Sequence, residues 1–154
     1  MLFTEFKIRL GENEKCRNIT DKIKDIVGEW GSVSGFLLVF VKHTTCGISI
    51  NENESGLIED FSDMMSGIAP TSGEKYYRHD DLAIRTENLD RDRKERVNAH
   101  AHLKDMLIGA SQTLPVLFGN IILGTWQQIL FFDFDLDDSA ERQDRTITVS
   151  LLEA

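Results

Sequence analysis

The chain has 154 residues, 41% hydrophobic and 28% charged, a balance that suits a single domain over residues 1–154 with one core. Its net charge of −9 argues against a general nucleic-acid binder, which needs a basic surface to release counterions. No stretch approaches the ~20 apolar residues of a membrane span, and the start MLFTEFKIRL lacks the regions of a secretory signal, so no membrane partner and a cytoplasmic location are expected.

Leu2 to Leu10 alternates, with Thr4, Phe6, Ile8 and Leu10 on one face, and reads as a strand. After the turn at Gly11, Asn18 or Thr20 can cap a helix over about Asp21–Trp30, whose Ile23, Ile26, Val27 and Trp30 share a face. Phe36 to Val41 is an unbroken apolar run that reads as a buried strand. It is followed by Lys42-His43-Thr44-Thr45 and a second short strand through Ile48 and Ile50, together expected as a hairpin. Leu57, Ile58, Phe61, Met64 and Met65 mark a second amphipathic helix between Glu54 and Gly67, with Asn53 or Ser55 as candidate caps. The charged run Asp90 to Arg96 reads as a solvated loop or short helix. A short helix is expected from His102 to Gly109. Leu114 through Leu152 reads as a β meander with turns near Gly119 and in 137–144, one of its strands running through Gly124–Gln128. The class implied is α+β, strands with two or three flanking helices.

Polar residues gather where these apolar elements end. His43, His79 and His102 each lie in a polar segment beside a core element, with Asp80 adjacent to His79. Three imidazoles and a carboxylate are a candidate metal set, since zinc takes three or four converging N, S or O ligands. Each histidine taken alone is more often a hydrogen-bonded or surface residue than a ligand. His100 and His102 share a face only if their segment is extended. Asn51 ends a strand and can point back toward His43. Ser111, behind Gly109, offers a hydroxyl to an anion, and Arg78 and Lys104 offer charge. Trp126 can stack on a planar ring and Gln127 can read its polar edge, although a lone Trp is as readily core. Cys16 and Cys46 form no CxxC motif, and Cys46 reads as a small buried residue rather than a nucleophile.

Three stretches carry a resemblance. His43-Thr44-Thr45 with Ile50-Asn51-Glu52-Asn53, His102-Leu103-Lys104 with Leu107, Gly109 and Ser111, and Gly124-Thr125-Trp126-Gln127 resemble the YjbQ-like family, often labelled secondary thiamine-phosphate synthases. Arg78-His79-Asp80 sits where that family has its His-Asp pair. The resemblance implies an α+β fold with a β-sandwich core, a homotrimer, and one pocket near a subunit interface. The implied catalytic groups are His43, His102 and Asn51. Thr44, Lys104, Ser111, Thr125, Trp126 and Gln127 would bind substrate, and His43, His79, Asp80 and His102 would hold a divalent metal, Mg or Zn. The implied partner is a small phosphorylated metabolite. The implied reaction joins a pyrimidine pyrophosphate to a thiazole phosphate. The alternatives are a metal-binding hydrolase and a non-catalytic trimeric metabolite-binding protein. Cys46 stands where the family usually has Ala or Ser, and Gln128 where Gly is common.

Overall fold

The computed structural model describes residues 1–154 apart from 13, 72, 90–94 and 136–142. Most of the charged run and of the expected turn in 137–144 therefore lies outside the described residues. Eleven elements follow in chain order: β1 (Leu2–Ile8), β2 (Cys16–Asn18), α1 (Thr20–Glu29), β3 (Gly35–Val41), β4 (Cys46–Asn51), α2 (Ser55–Ile68), α3 (Ala99–Ile108), β5 (Ser111–Leu117), β6 (Asn120–Ile121), β7 (Gln128–Asp133) and β8 (Arg145–Glu153).

The strands form two sheets, one ordered β1-β8-β3-β5-β6 and one ordered β2-β7-β4. Period-2 patterning sends Leu37, Val39 and Val41 of β3 and Ile147, Val149 and Leu151 of β8 into the space between them. Ile48 of β4 and Ile129 and Phe131 of β7 meet them from the other sheet, and Ile23, Ile26 and Val27 of α1 complete the core. The result is the expected α+β architecture, a β-sandwich core with three flanking helices. Asn18 accepts from the first-turn N–H of Thr20 at 2.9 Å, although the cap position of α1 itself is held by Ile19 rather than by Asn18 or Thr20. At α2 the cap is Glu54, whose two carboxylate oxygens accept from Gly56 and Leu57 N–H, both at 2.8 Å.

Three expectations change. The apolar run and the strand after it do not form a hairpin: β3 pairs with β5 and β8, β4 pairs with β7, and Lys42–Thr45 crosses between the sheets. Lys42 N–H donates to Thr146 O and Phe134 N–H to Thr45 O, so both sheets hold the crossover. The run through Gly124–Gln128 is not one strand, and the meander is not one sheet. Gln127 N–H donates to Gly124 O, closing a turn that sends β6 to one sheet and β7 to the other. Finally, β3 is not buried on both sides. Phe36 is 60% exposed, and Phe3, Leu117 and Leu152 share its open face, because none of the described residues covers the outer side of the five-stranded sheet.

Candidate functional site

α3 begins three residues earlier than its hydrophobic pattern suggests, because a distant residue supplies its start. Asp80, in a 3-10 turn at Arg78–Asp80, accepts from the backbone N–H of Asn98 at 3.1 Å and of Ala99 at 3.0 Å. These are donors that a helix N-terminus otherwise leaves without intrahelical partners, and a carboxylate there also complements the helix dipole. The other end of α3 lies against β4 because Gly47 has no side chain. A Cβ there would sit 2.7 Å from Ile108 Cγ2, and Ile48 N–H donates to Gly109 O at 3.1 Å.

With α3 fixed at both ends, His102 meets the sheet crossover. Its Nδ1 lies 2.9 Å from Thr44 O. A carbonyl can only accept, so Nδ1 carries a proton, which leaves Nε2 as the nitrogen that can give or take one. The 3-10 turn brings His79 against it, ring centroids 4.7 Å apart and edge to face. Burial lowers the pKa of His79 below the ordinary histidine value, and the charges of Arg85 and His102 lower it further. These residues line an open cleft of about 820 Å³ with Thr44, Arg78 and Arg85. Arg85 organises the cleft wall, donating to Glu87 O, His79 O and Asn88 O and pairing with Glu95 at 3.3 Å. Arg78 makes none of these ties and leaves its charge at the cleft.

His43 is differently engaged. Its Nε2 accepts the backbone N–H of Thr146 at 3.2 Å, so the lone pair a base would use is occupied. Burial lowers its pKa below the ordinary histidine value, and the nearby Arg145 guanidinium adds to this. Arg145 itself belongs to a buried network, bidentate to Asp133 at 2.7 and 3.2 Å and within 3.5 Å of Asp135, which also pairs with Arg96 at 3.1 Å.

Among the expected site residues, Thr44, His79 and His102 come together, with Asp80 directly behind as the α3 cap. His43 stands at the same crossover but does not line the cleft. Asn51 sits at the far end of β4, about 17 Å from Cys46 at ~3.4 Å per residue. There its Oδ1 accepts from Glu52 N–H, and it pairs in register with Gln128. Trp126 and Gln127 lie in the turn just before Gln128. Trp126 is 71% exposed, and Gln127 Oε1 accepts from Gly124 N–H at 2.8 Å. Thr125 lies exposed in the same turn, and Ser111 lies at the start of β5, exposed beside Phe40. Lys104 faces away from the cleft, since a residue two positions from His102 points to another side of a helix. Among the described residues no group of three His, Cys, Asp or Glu side chains is placed to hold a metal ion. Cys46 is fully buried, and desolvation pushes its thiol pKa up, which fits a packing role.

Sequence reasoning missed Asp105 and gave Arg85 no role. Asp105 follows His102 by three residues, on a neighbouring turn of the same helix. Its Oδ1 is buried without a hydrogen-bond partner among the described residues, and burial raises its pKa. The i, i+3 spacing from His102 was the available signal. Arg85 had none, because three of its partners are backbone carbonyls and the fourth, Glu95, lies ten residues away in a charged stretch.

The model of the UPF0047 YjbQ-like family matches residues 4–154. The chain belongs to this family. A UPF0047 protein of Archaeoglobus fulgidus is 38% identical over 131 residues, covering 85% of this chain and 90% of the relative. UPF0047 protein YugU of Bacillus subtilis is 34% identical over 129 residues, covering 84% and 86%. Among solved structures, a hypothetical protein from Aeropyrum pernix K1 superposes with a TM-score of 0.80 at 31% identity, covering 99% of this chain and 98% of that one. A YbjQ-like protein of unknown function from Sulfolobus solfataricus P2 gives 0.77 at 30% identity, covering 96% and 94%. The YjbQ-like resemblance read from the three motifs is thus established over nearly the whole chain. Among the described residues, no helix is long and apolar enough to cross a membrane.

Proposed function

We propose that this YjbQ-like protein is a small-molecule enzyme that binds a phosphorylated metabolite in the His79–His102 cleft, with thiamine-phosphate synthase-type activity. The observation that carries this reading is the pairing of cationic and proton-handling groups in one cleft. Arg78 and Arg85 supply positive charge, and His102 offers Nε2 while a backbone carbonyl fixes its tautomer. A diphosphate leaving group needs such donors, because negative charge grows on its bridging oxygen as the bond breaks. In the proposed step the thiazole nitrogen forms a bond to the pyrimidine methylene carbon. The C–O bond to pyrophosphate breaks, and pyrophosphate leaves with the electron pair. Arg78 meets that charge, and protonated His102 donates to the departing oxygen.

A single subunit leaves Trp126 and Asn51 at the other end of the three-stranded sheet. Stacking of the pyrimidine on Trp126 therefore calls for a neighbouring copy. The uncovered face bearing Phe3, Phe36 and Leu152 supports assembly, and a homotrimer is the proposed form. His79 and His102 offer two imidazoles, while His43 and Asp80 are occupied by backbone donors. Among the described residues this donor set does not by itself make a metal centre within one chain.

Purified protein incubated with both substrates should form thiamine phosphate and pyrophosphate, and His102→Ala should abolish both. Product formed equally by the variant refutes the assignment. Light scattering should give three times the 17.5 kDa chain mass. Stabilisation by a phosphorylated metabolite without turnover would favour the binding-protein alternative. Stoichiometric metal in untagged protein would favour the hydrolase.

A further inference from the structure

The face of α3 opposite the cleft bounds a second, smaller cavity of about 200 Å³. Ile58, Phe61 and Met65 of α2 and the rings of Phe132 and Phe134 wall it. Phe132 lies 5.0 Å from Phe61 and is stacked on Phe134 at 5.8 Å, centroid to centroid, so the aromatic wall is continuous. Lys104 lines the same cavity from α3, and Lys15, Ser62, Thr71, His100 and Asp133 make up its polar side. Lys104 is only 9% exposed, and among the described residues it makes no hydrogen bond or ion pair. An ammonium carries three donors, and lysine is almost never this buried without a partner. Desolvation accordingly lowers its pKa, which the charge of Glu74 partly offsets. Asp133, the carboxylate on the cavity wall, is already bidentate to Arg145 and so is not the counter-ion.

We propose that this cavity is a binding site for a small organic monocarboxylate, its carboxylate on Lys104 and its apolar body against the Phe61–Phe132–Phe134 wall. The size follows from volume. A dry apolar cavity of about 150 Å³ takes benzene, so 200 Å³ holds a body of about six carbons with room for one carboxylate. The charge follows from the donor count. Lys15 also lines the cavity but is exposed, so Lys104 is the buried ammonium there and balances one negative charge, whereas a phosphate dianion brings more acceptors than Lys104 satisfies and gains nothing from the aromatic wall. The site is separate from the His102 cleft, because the two lie on different sides of α3.

Benzoate is the probe. Titrated into the full chain and followed by amide chemical shifts, it should perturb Phe61, Phe132 and Lys104 with a Kd below about 1 mM. Lys104→Met should weaken it about tenfold or more. In the wild type, benzyl alcohol and inorganic phosphate should each bind at least tenfold more weakly than benzoate, about the gap expected when either the charge or the ring is missing. Where Lys104→Met does not fold, Ser62→Leu, which fills the cavity from α2, should remove benzoate binding to the same extent. Benzoate binding unchanged in either folded variant overturns the proposal. So does benzyl alcohol or phosphate matching benzoate, or no benzoate shift at these residues up to about 10 mM, a Kd too weak for a shaped site.

Discussion

Replacing Asp80 separates two meanings of one carboxylate. Its Oδ1 holds the backbone N–H groups of Asn98 and Ala99 at 3.1 and 3.0 Å, which ties the 3-10 turn bearing Arg78 and His79 to the start of α3. Substituting a side-chain cap by Ala costs about 0.5–2 kcal/mol, and two charge-assisted bonds on one oxygen place Asp80→Ala near 2 kcal/mol. In a chain of this length that lowers Tm by about 4–8 °C. Asp80→Asn keeps an acceptor oxygen and loses mainly the interaction of charge with the helix dipole, about 0.5 kcal/mol. Urea and thermal unfolding, each repeated with a chelator, supply the assay. The expected order is wild type, then Asn, then Ala, with no effect of chelator on the differences. An Ala variant within 0.5 kcal/mol of wild type would refute the cap, as that is below the range for a lost cap. An Asn variant as damaged as Ala, with both differences abolished by chelator, would instead make Asp80 a metal ligand.

Two further stability predictions concern the region behind the cleft. Arg145 and Asp133 are 6% and 4% exposed at their side chains, so Arg145→Met leaves buried carboxylates uncompensated and should cost about 3–5 kcal/mol in chemical denaturation. A loss below 1 kcal/mol would contradict the network, which is well under the range for breaking a buried pair. His43 has a folded pKa below its ordinary value of 6.5, so the unfolded chain binds its proton first as pH falls. Its contribution is complete above 6.5 and is lost as pH drops through that value toward the depressed folded pKa. His43→Gln still offers an acceptor to Thr146 N–H but does not titrate, so the acid-side fall in urea midpoint should become shallower. An unchanged slope would show that His43 does not carry it.

The elements of the fold were largely legible because each rests on a local period. Ile23, Ile26 and Val27 all pack inward from α1, and Ile147, Val149 and Leu151 alternate into the core from β8. The partition into two sheets was not legible. An apolar run, four polar residues and a second strand look the same whether the chain folds back or crosses to another layer, and only the β3–β8 and β4–β7 pairings decide it. The Gly124–Gln127 turn was hidden because its closing bonds join residues within an otherwise apolar stretch.

At the site, residue types were easier to read than roles. His79 and His102 were selected correctly as neighbours, since both sit in polar segments beside the core. The capping role of Asp80 was not legible, because Asn98 and Ala99 are 18 and 19 residues away and contribute backbone N–H groups that no pattern marks. His43 and His102 were indistinguishable in sequence. What separates them is which nitrogen is occupied: Nε2 by Thr146 N–H in one, Nδ1 by Thr44 O in the other. Lys104 was placed with the phosphate-binding groups for its charge and its place in the His102-Leu103-Lys104 motif, but a residue two positions from His102 points to a different side of the helix.

Calorimetric titration of pyrophosphate into the wild type, Arg78→Ala and His102→Gln tests the cleft most directly. The wild type should bind with a Kd below about 1 mM, and each variant should weaken it by about tenfold or more, the loss of roughly one charge-assisted contact. Absence of binding in the wild type, or equal affinity in all three proteins, would contradict a phosphate site at Arg78 and His102.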